Sequence, residues 1–174
     1  PIQLPKDTTI PDFEKAQLDI WHWQEPQIQP MQLVQKGRKL KETFLSYVDL
    51  DNGRFHQLAT EEMPVVRISD ENNGRYAIGL SNLKYRFEMQ WDIPARRTND
   101  VWILDLQDNT RKQIKTKLEG SVLLSPNGQY LAWYNLRDRQ YYAYSVETGK
   151  EVCLTGGLNV NFWNEKYDMP SPPD

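Results

Sequence analysis

The chain has 174 residues, 39% of them hydrophobic and 26% charged, with a formal net charge of −3. That balance excludes a disordered polyelectrolyte and a strongly basic nucleic-acid binder, and it supplies enough apolar side chains for a buried core. No apolar run approaches the roughly 20 residues of a membrane-spanning helix, and a single cysteine excludes an internal disulfide.

Pro1 to Pro11 (PIQLPKDTTIP) is a polar, proline-punctuated lead expected to lie extended on a surface. The absence of an initiating methionine suggests a processed product or a piece of something longer, with any targeting segment lost alongside. Phe13 to Trp23 becomes strand-like at its end, anchored by Ile20, Trp21 and Trp23, before Pro26 and Pro30 interrupt it. Met31 to Lys41 places Met31, Val34 and Leu40 near helical spacing behind Pro30, while Gly37 weakens the pattern. A short helix and an extended crossing segment are both compatible with it.

From Phe44 onward the pattern is β. Phe44 to Leu50 and Arg54 to Ala59 read as a hairpin about Asp51-Asn52-Gly53, the outer half of a blade without its inner strands. Pro64 to Ser69 and Arg75 to Asn82 open a second blade, which Asp100 to Leu106 and Arg111 to Leu118 close after an insertion, Leu83 to Asn99. Ser121 to Thr155 holds a third blade of four short strands. Its first turn is Ser125-Pro126-Asn127-Gly128, where proline presets φ and Asn-Gly tolerates the positive φ that follows; its last is Glu147-Thr148-Gly149-Lys150. Tyr130, Ala132 and Tyr134 alternate with Leu131, Trp133 and Asn135, so both faces carry bulk, as in sheets sandwiched between other sheets. After it, Gly156 and Gly157 punctuate, Val160 to Trp163 is a candidate further strand, and Pro170 to Asp174 reads as linker.

An internal repeat supports this division. Val48-Asp-Leu-Asp-Asn-Gly53, Leu104-Asp-Leu-Gln-Asp-Asn109 and Tyr144-Ser-Val-Glu-Thr-Gly149 align, with Asn109 in the glycine position that αL geometry favours. Asn73-Gly74-Arg75-Tyr76 likewise mirrors Asn127-Gly128-Gln129-Tyr130. The intervals bracket the roughly 40 to 50 residues of propeller repeats. The fold class is therefore all-β, a partial β-propeller of about two to three antiparallel four-stranded blades, with a β-sandwich as the alternative. The whole of 1–174 reads as a fragment of one propeller domain: 12–60 a half blade with preceding insertion, 64–118 a blade, 120–155 a blade, 156–174 the start of the next blade and linker. A closed ring needs at least about four blades, so the open ends call for further blades, or for a homo-oligomer through the strand edges.

Several segments resemble the amino-terminal propeller of bacterial prolyl oligopeptidase family serine peptidases, the dipeptidyl-peptidase-like group. They are Leu18-Asp-Ile-Trp-His-Trp23, Gln29-Pro-Met-Gln-Leu33, Met63-Pro-Val-Val66, Ala77-Ile-Gly-Leu-Ser81 and Leu124-Ser-Pro-Asn-Gly-Gln-Tyr-Leu131, together covering most of Asp12 to Pro170. The resemblance implies a propeller of about seven or eight blades over an α/β-hydrolase domain, gating short peptide substrates, in the periplasm or outside the cell. The missing blades and that hydrolase domain would be its partners.

No catalytic residue can be assigned. The nucleophile elbow of an α/β-hydrolase is G-x-S-x-G, and no serine here has glycines at both flanking positions; Gly79-Leu80-Ser81-Asn82 comes nearest and lies in a strand. His22 and His56 are the only histidines, neither at zinc-ligand spacing from a partner, so no metal or cofactor is expected. The pairs Asp49 with Asp51, Glu61 with Glu62 and Asp70 with Glu71 read as solvated turns, and Cys153 as a small packed residue. Lys36, Arg38, Lys39 and Lys41 read as a solvated face, so no nucleic-acid partner is expected. The insertion, with Tyr85, Arg86, Phe87, Trp91, Arg96 and Arg97, is the best location for specificity, against a reading of strand extension with Arg-aromatic packing. No binding residue is assigned from it.

Overall fold

A computed structural model of the chain describes residues 9–11, 13–15, 20–69, 74–90, 98–163 and 166. The chain divides into two compact units, Pro1–Thr43 and Phe44–Asp174. In the first, one helix, α1 (Gln29–Lys39), starts with proline in its first turn and no side-chain cap, and ends with Lys36, Arg38 and Lys39 against the negative end of its dipole. This decides between the two readings of the Met31 to Lys41 stretch. The strand expected to end at Trp23 is not found among the described residues. Instead the Glu25 N–H donates to the His22 carbonyl at 3.0 Å and the Gln24 N–H to His22 Nδ1 at 3.2 Å, a turn that Pro26 then holds out of any ladder.

The second unit is a run of antiparallel sheets. A hairpin of β1 (Ser46–Val48) and β2 (Phe55–Gln57) comes first. A four-stranded sheet follows, in the order β3 (Val65–Ile68), β4 (Tyr76–Ser81), β5 (Thr98–Asp105), β6 (Thr110–Glu119). The last sheet consists of β7 (Val122–Leu124), β8 (Tyr130–Asn135), β9 (Gln140–Ser145) and β10 (Glu151–Cys153), again neighbours in chain order.

The turns repeat in atomic detail. The Gly53 N–H donates to the Asp49 carbonyl at 2.8 Å and the Gly149 N–H to the Ser145 carbonyl at 2.9 Å, both glycines at φ +67. Asn109 takes the equivalent place at φ +53, as its short polar side chain permits. Leu106 N–H reaches the Arg75 carbonyl at 2.9 Å just as Val146 N–H reaches that of Gln129 at 3.0 Å.

Period-two alternation decides which side chains meet. Ala77 and Leu104 face the hairpin, where they pack with Leu58 and Met63 against Tyr47 and Trp102. Their neighbours Ile78, Leu80, Val101 and Ile103 point the other way, onto Val122, Leu131, Trp133 and Tyr144 of the last sheet. The middle sheet is thus covered on both faces by its sequence neighbours. A two-sheet sandwich would cover each sheet on one face only, so the fold is the partial propeller. The hairpin is tied to the middle sheet by Tyr47 Oη donating to the Leu106 carbonyl at 2.7 Å and by Arg111 donating to the Gln57 carbonyl at 2.9 Å.

Gly79 shows how closely the faces approach, since a Cβ there would lie 2.1 Å from Met63 Sδ. Gly79→Ala should cost about 1–3 kcal/mol, because the thioether end can swing aside but the packed face cannot. Met63→Ala in the same chain should absorb part of that cost, which urea unfolding of the single and double variants measures as non-additivity.

Val160 to Trp163 forms no strand. Phe162 instead meets Tyr141 edge-on at 6.0 Å, and Trp163 lies under the Arg139 guanidinium at 4.6 Å. Without a neighbouring strand to share a ladder, these aromatic contacts take over. The proposed linker, Pro170 to Asp174, and most of the leading segment lie outside the described residues.

Candidate functional site

The rim carrying the β4–β5 connection gathers a buried carboxylate and the donors bonded to it. Within the expected insertion, Leu83–Tyr85 and Glu88–Gln90 are two short 3-10 turns, and β5 extends back into it to Thr98, two residues before the expected start at Asp100. Trp91, Arg96 and Arg97 lie outside the described residues. Arg86 Nε donates to Asn82 Oδ1 at 3.2 Å, and Phe87 stays half exposed.

Asp100 in β5 is the anchor. Only 1% exposed, it accepts from Tyr85 Oη at 2.5 Å, Lys84 Nζ at 2.9 Å and the Lys117 N–H at 3.0 Å. That last donor is available because β6 carries register shifts opposite Asn99 to Trp102, with Lys117 at φ +48 turning its N–H inward. The same N–H lies 3.0 Å from Tyr85 Oη, and Lys117 Nζ is 3.6 Å from Glu88. The described part of the insertion is therefore latched to the sheet at Asp100 and Lys117.

Burial works to raise the Asp100 pKa, but the bonds from Tyr85, Lys84 and the Lys117 N–H outweigh it and hold the carboxyl below its ordinary 3.8. Burial, then the bond to Asp100, pushes the Tyr85 phenol up to about 12. A lowered carboxylate value stabilises the fold fully above 3.8 and loses that contribution as pH falls through the folded-state value. A raised phenol value stabilises fully below 10.0 and is lost as pH rises through about 12. The stability gap between the native chain and Asp100→Asn should therefore narrow on acidification below about pH 4. Urea midpoints of both chains from neutral to acid pH check it; parallel curves would contradict the latch.

Beside the latch, a groove of about 370 Å³ separates β6 from the face of the last sheet. Lys115 Nζ sits 5.3 Å over the Trp133 ring and 2.5 Å from Glu151. Trp133 stacks on Tyr142 at 5.8 Å, and Tyr142 Oη donates to Asp138 at 2.6 Å, which raises the phenol pKa. Arg137 closes one end, bonded to Glu119 at 2.9 and 2.6 Å. Lys115, Lys117 and Arg137 each have a carboxylate neighbour, so the groove selects neither sign of charge. Trp133 is only 4% exposed, with Lys115 over its ring and Tyr142 stacked on it, so the groove presents chiefly ion-paired polar side chains. None of its lining residues is a serine, histidine or cysteine.

His56 stacks on Tyr47 at 4.8 Å, His22 belongs to the first unit, and Cys153 is a half-buried free thiol in β10. Ser81 is buried in β4, its Oγ facing the Leu83 N–H at 3.5 Å. Lys39 of the basic run pairs with Glu42 at 3.1 Å. Asp70 and Glu71 lie outside the described residues, among which no cluster of three metal-ligating side chains occurs. Asp100, Lys115 and Lys117 were invisible to motif reading; the one local hint was a lone acidic residue in an apolar strand, Asp100-Val-Trp-Ile-Leu104.

No family model and no curated protein matches the chain. Among solved structures it is similar to the tricorn protease at 13% identity, covering 63% of this chain and 10% of that one, with a TM-score of 0.39. It is also similar to the β-propeller domain of the Trilobed protease from Pyrococcus furiosus, at 16% identity and TM-score 0.39, covering 63% and 33%. A putative TolB from Agrobacterium tumefaciens aligns at 17% identity and TM-score 0.39, over 67% and 40%. The chain thus matches well under two thirds of each of these proteins' lengths.

Proposed function

We propose that the chain is the propeller portion of a prolyl oligopeptidase-type serine peptidase, docking and gating peptides for a separate α/β-hydrolase domain without catalysing anything itself. The observation that carries the reading is the contrast between interior and terminal sheet faces. The two inner interfaces bury the central rows of the sheets that meet there, whereas Val48 and Phe55 on the hairpin's outer face and Leu123 and Val152 on the last sheet's outer face are more than half exposed. Bare apolar faces at both ends of a stack call for further sheets. The resemblance in the Leu18 to Trp23 and Gln29 to Leu33 segments supports the peptidase assignment, and with it a periplasmic or extracellular setting.

A fluorophosphonate probe tests the division of labour. The 174-residue chain should remain unlabelled, and the polypeptide that its gene encodes should label at a serine outside these residues. Covalent labelling of the chain itself would defeat the proposal. A second reading, a stand-alone interaction module, draws on the same exposed pair Val48 and Phe55, and it predicts concentration-dependent self-association.

A further inference from the structure

The chain contains three Asn-Gly pairs, Asn52-Gly53, Asn73-Gly74 and Asn127-Gly128, of which Asn73 lies outside the described residues. An asparagine followed by glycine loses its side-chain amide without an enzyme once the glycine nitrogen is free to reach it, because glycine has no Cβ to obstruct the approach. The nitrogen gives up its proton and bonds to the asparagine Cγ, Nδ2 leaves as ammonia, and water opens the resulting cyclic imide at either carbonyl. One water is consumed and one ammonia released, and the product is aspartate or isoaspartate.

Both described pairs begin behind the same barrier. The Gly53 N–H donates to the Asp49 carbonyl and the Gly128 N–H to the Ser125 carbonyl, each at 2.8 Å, so either turn must open before its nitrogen can attack. They differ in what opens with the turn. A Cβ on Gly128 would lie 3.4 Å from the Tyr76 carbonyl oxygen of the neighbouring sheet and 3.7 Å from Gly74 Cα. Ser125 Oγ donates to Asn127 Oδ1 at 2.8 Å and accepts from the Tyr130 N–H at 3.0 Å, and the adjoining Gln129 carbonyl is held by the Val146 N–H at 3.0 Å. Freeing Gly128 therefore disturbs a contact between two sheets. At the other turn the bonds that hold Asn52 stay within the turn itself: Nδ2 donates to Asp49 Oδ2 at 2.5 Å, and Oδ1 accepts from the Arg54 N–H at 2.8 Å. A Cβ on Gly53 meets nothing within 4 Å, Leu50 is 94% exposed, and the strands on either side have three residues each.

We propose that Asn52 is a spontaneous deamidation site of the folded chain, that Asn127 is protected by the sheet it packs against, and that conversion of Asn52 loosens the hairpin. The second half follows from charge. Once Nδ2 is replaced by oxygen, the bond to Asp49 becomes one carboxylate facing another. The middle sheet shows what such a pair requires. Asp105 and Asp108 occupy the places of Asp49 and Asn52 there, and Arg75 holds both, with Nε donating to Asp105 at 2.9 and 2.8 Å and one terminal nitrogen to Asp108 at 3.1 Å. Arg75 stands at the start of β4, whereas the hairpin is a sheet of two strands with no strand in the place of β4. A second carboxylate at position 52 thus has no equivalent of Arg75 to bind it.

Peptide mass spectrometry of the 174-residue chain, incubated in mildly alkaline heavy-oxygen water, tests the first half. Unfolded in guanidinium chloride, Asn52 and Asn127 should convert at similar rates. In the folded chain Asn52 should convert more than about tenfold faster than Asn127, the difference reporting the cost of opening each turn. Asn52→Asp, which carries the charge of the product, tests the second half. Its β1 and β2 amides should exchange about threefold to tenfold faster than in the native chain, with β4 and β5 unchanged. Three results overturn the inference: no conversion of Asn52 in the folded chain while the unfolded chain converts, equal rates at the two asparagines in the folded chain, or unaltered hairpin exchange in Asn52→Asp.

Discussion

Asp100→Ala is expected to cost about 2–4 kcal/mol, measured as a lowered urea midpoint followed by tryptophan fluorescence. The substitution leaves the Tyr85 hydroxyl without its acceptor and leaves the Lys117 N–H with Tyr85 Oη alone, in a place where Asp100 itself is 1% exposed. Lys84 adds little, because its side chain is 70% exposed and water replaces the lost partner. The cost therefore stays below the upper range for a fully buried pair. Asp100→Asn keeps an acceptor oxygen and should retain roughly half of the stability that alanine loses. Tyr85→Phe combined with Asp100→Ala should be markedly non-additive, because both remove the same bond. Strict additivity would show that the insertion is held by something other than this carboxylate.

Gly120→Ala should be the most damaging single substitution in the second unit. Gly120 sits at φ +140, a region that side chains avoid, and a Cβ there would lie 2.3 Å from the Tyr134 carbonyl oxygen. The clash is with backbone, which cannot rotate away as a side chain can. Gly120 also forms the corner between β6 and β7, so relief must come from shifting one sheet against the other. A cost of about 4 kcal/mol or more follows, lowering Tm by more than about 10 °C in a chain of this size. Hydrogen exchange should show the β7 and β8 amides losing protection first. A Tm within about 2 °C of the native chain would mean that the corner relaxes freely and that the packing against Trp133 and Val122 is looser than their burial implies.

Both substitutions lie where local sequence carried little warning. Ser125-Pro126-Asn127-Gly128 and the Gly53, Asn109 and Gly149 turns were readable because each requires particular backbone torsions, and only certain residues adopt those torsions cheaply. The hairpin and the two four-stranded sheets follow from those turns and from period-two alternation. The stretch ending at Trp23 was misread because bulky aromatic residues suit a strand only when a neighbouring strand supplies the ladder, and His22 turns the chain before one can form. Val160 to Trp163 failed for the same reason. The insertion was correctly singled out as unusual, but its role could not be reached. Tyr85 meets Asp100 only because β6 shifts register and Lys117 adopts a positive φ, and neither feature has a signature in residue order.

Local chemistry by itself determined the turns, the strands, their antiparallel succession and the absence of a G-x-S-x-G nucleophile elbow, because those depend on torsional preference and on neighbours along the chain. Tertiary structure alone decided that the middle sheet is covered on both faces and the last on one. It also decided that Asp100 gathers three donors. These outcomes depend on which surfaces meet across separations of many residues, and burial is a property of the assembled faces rather than of any one strand.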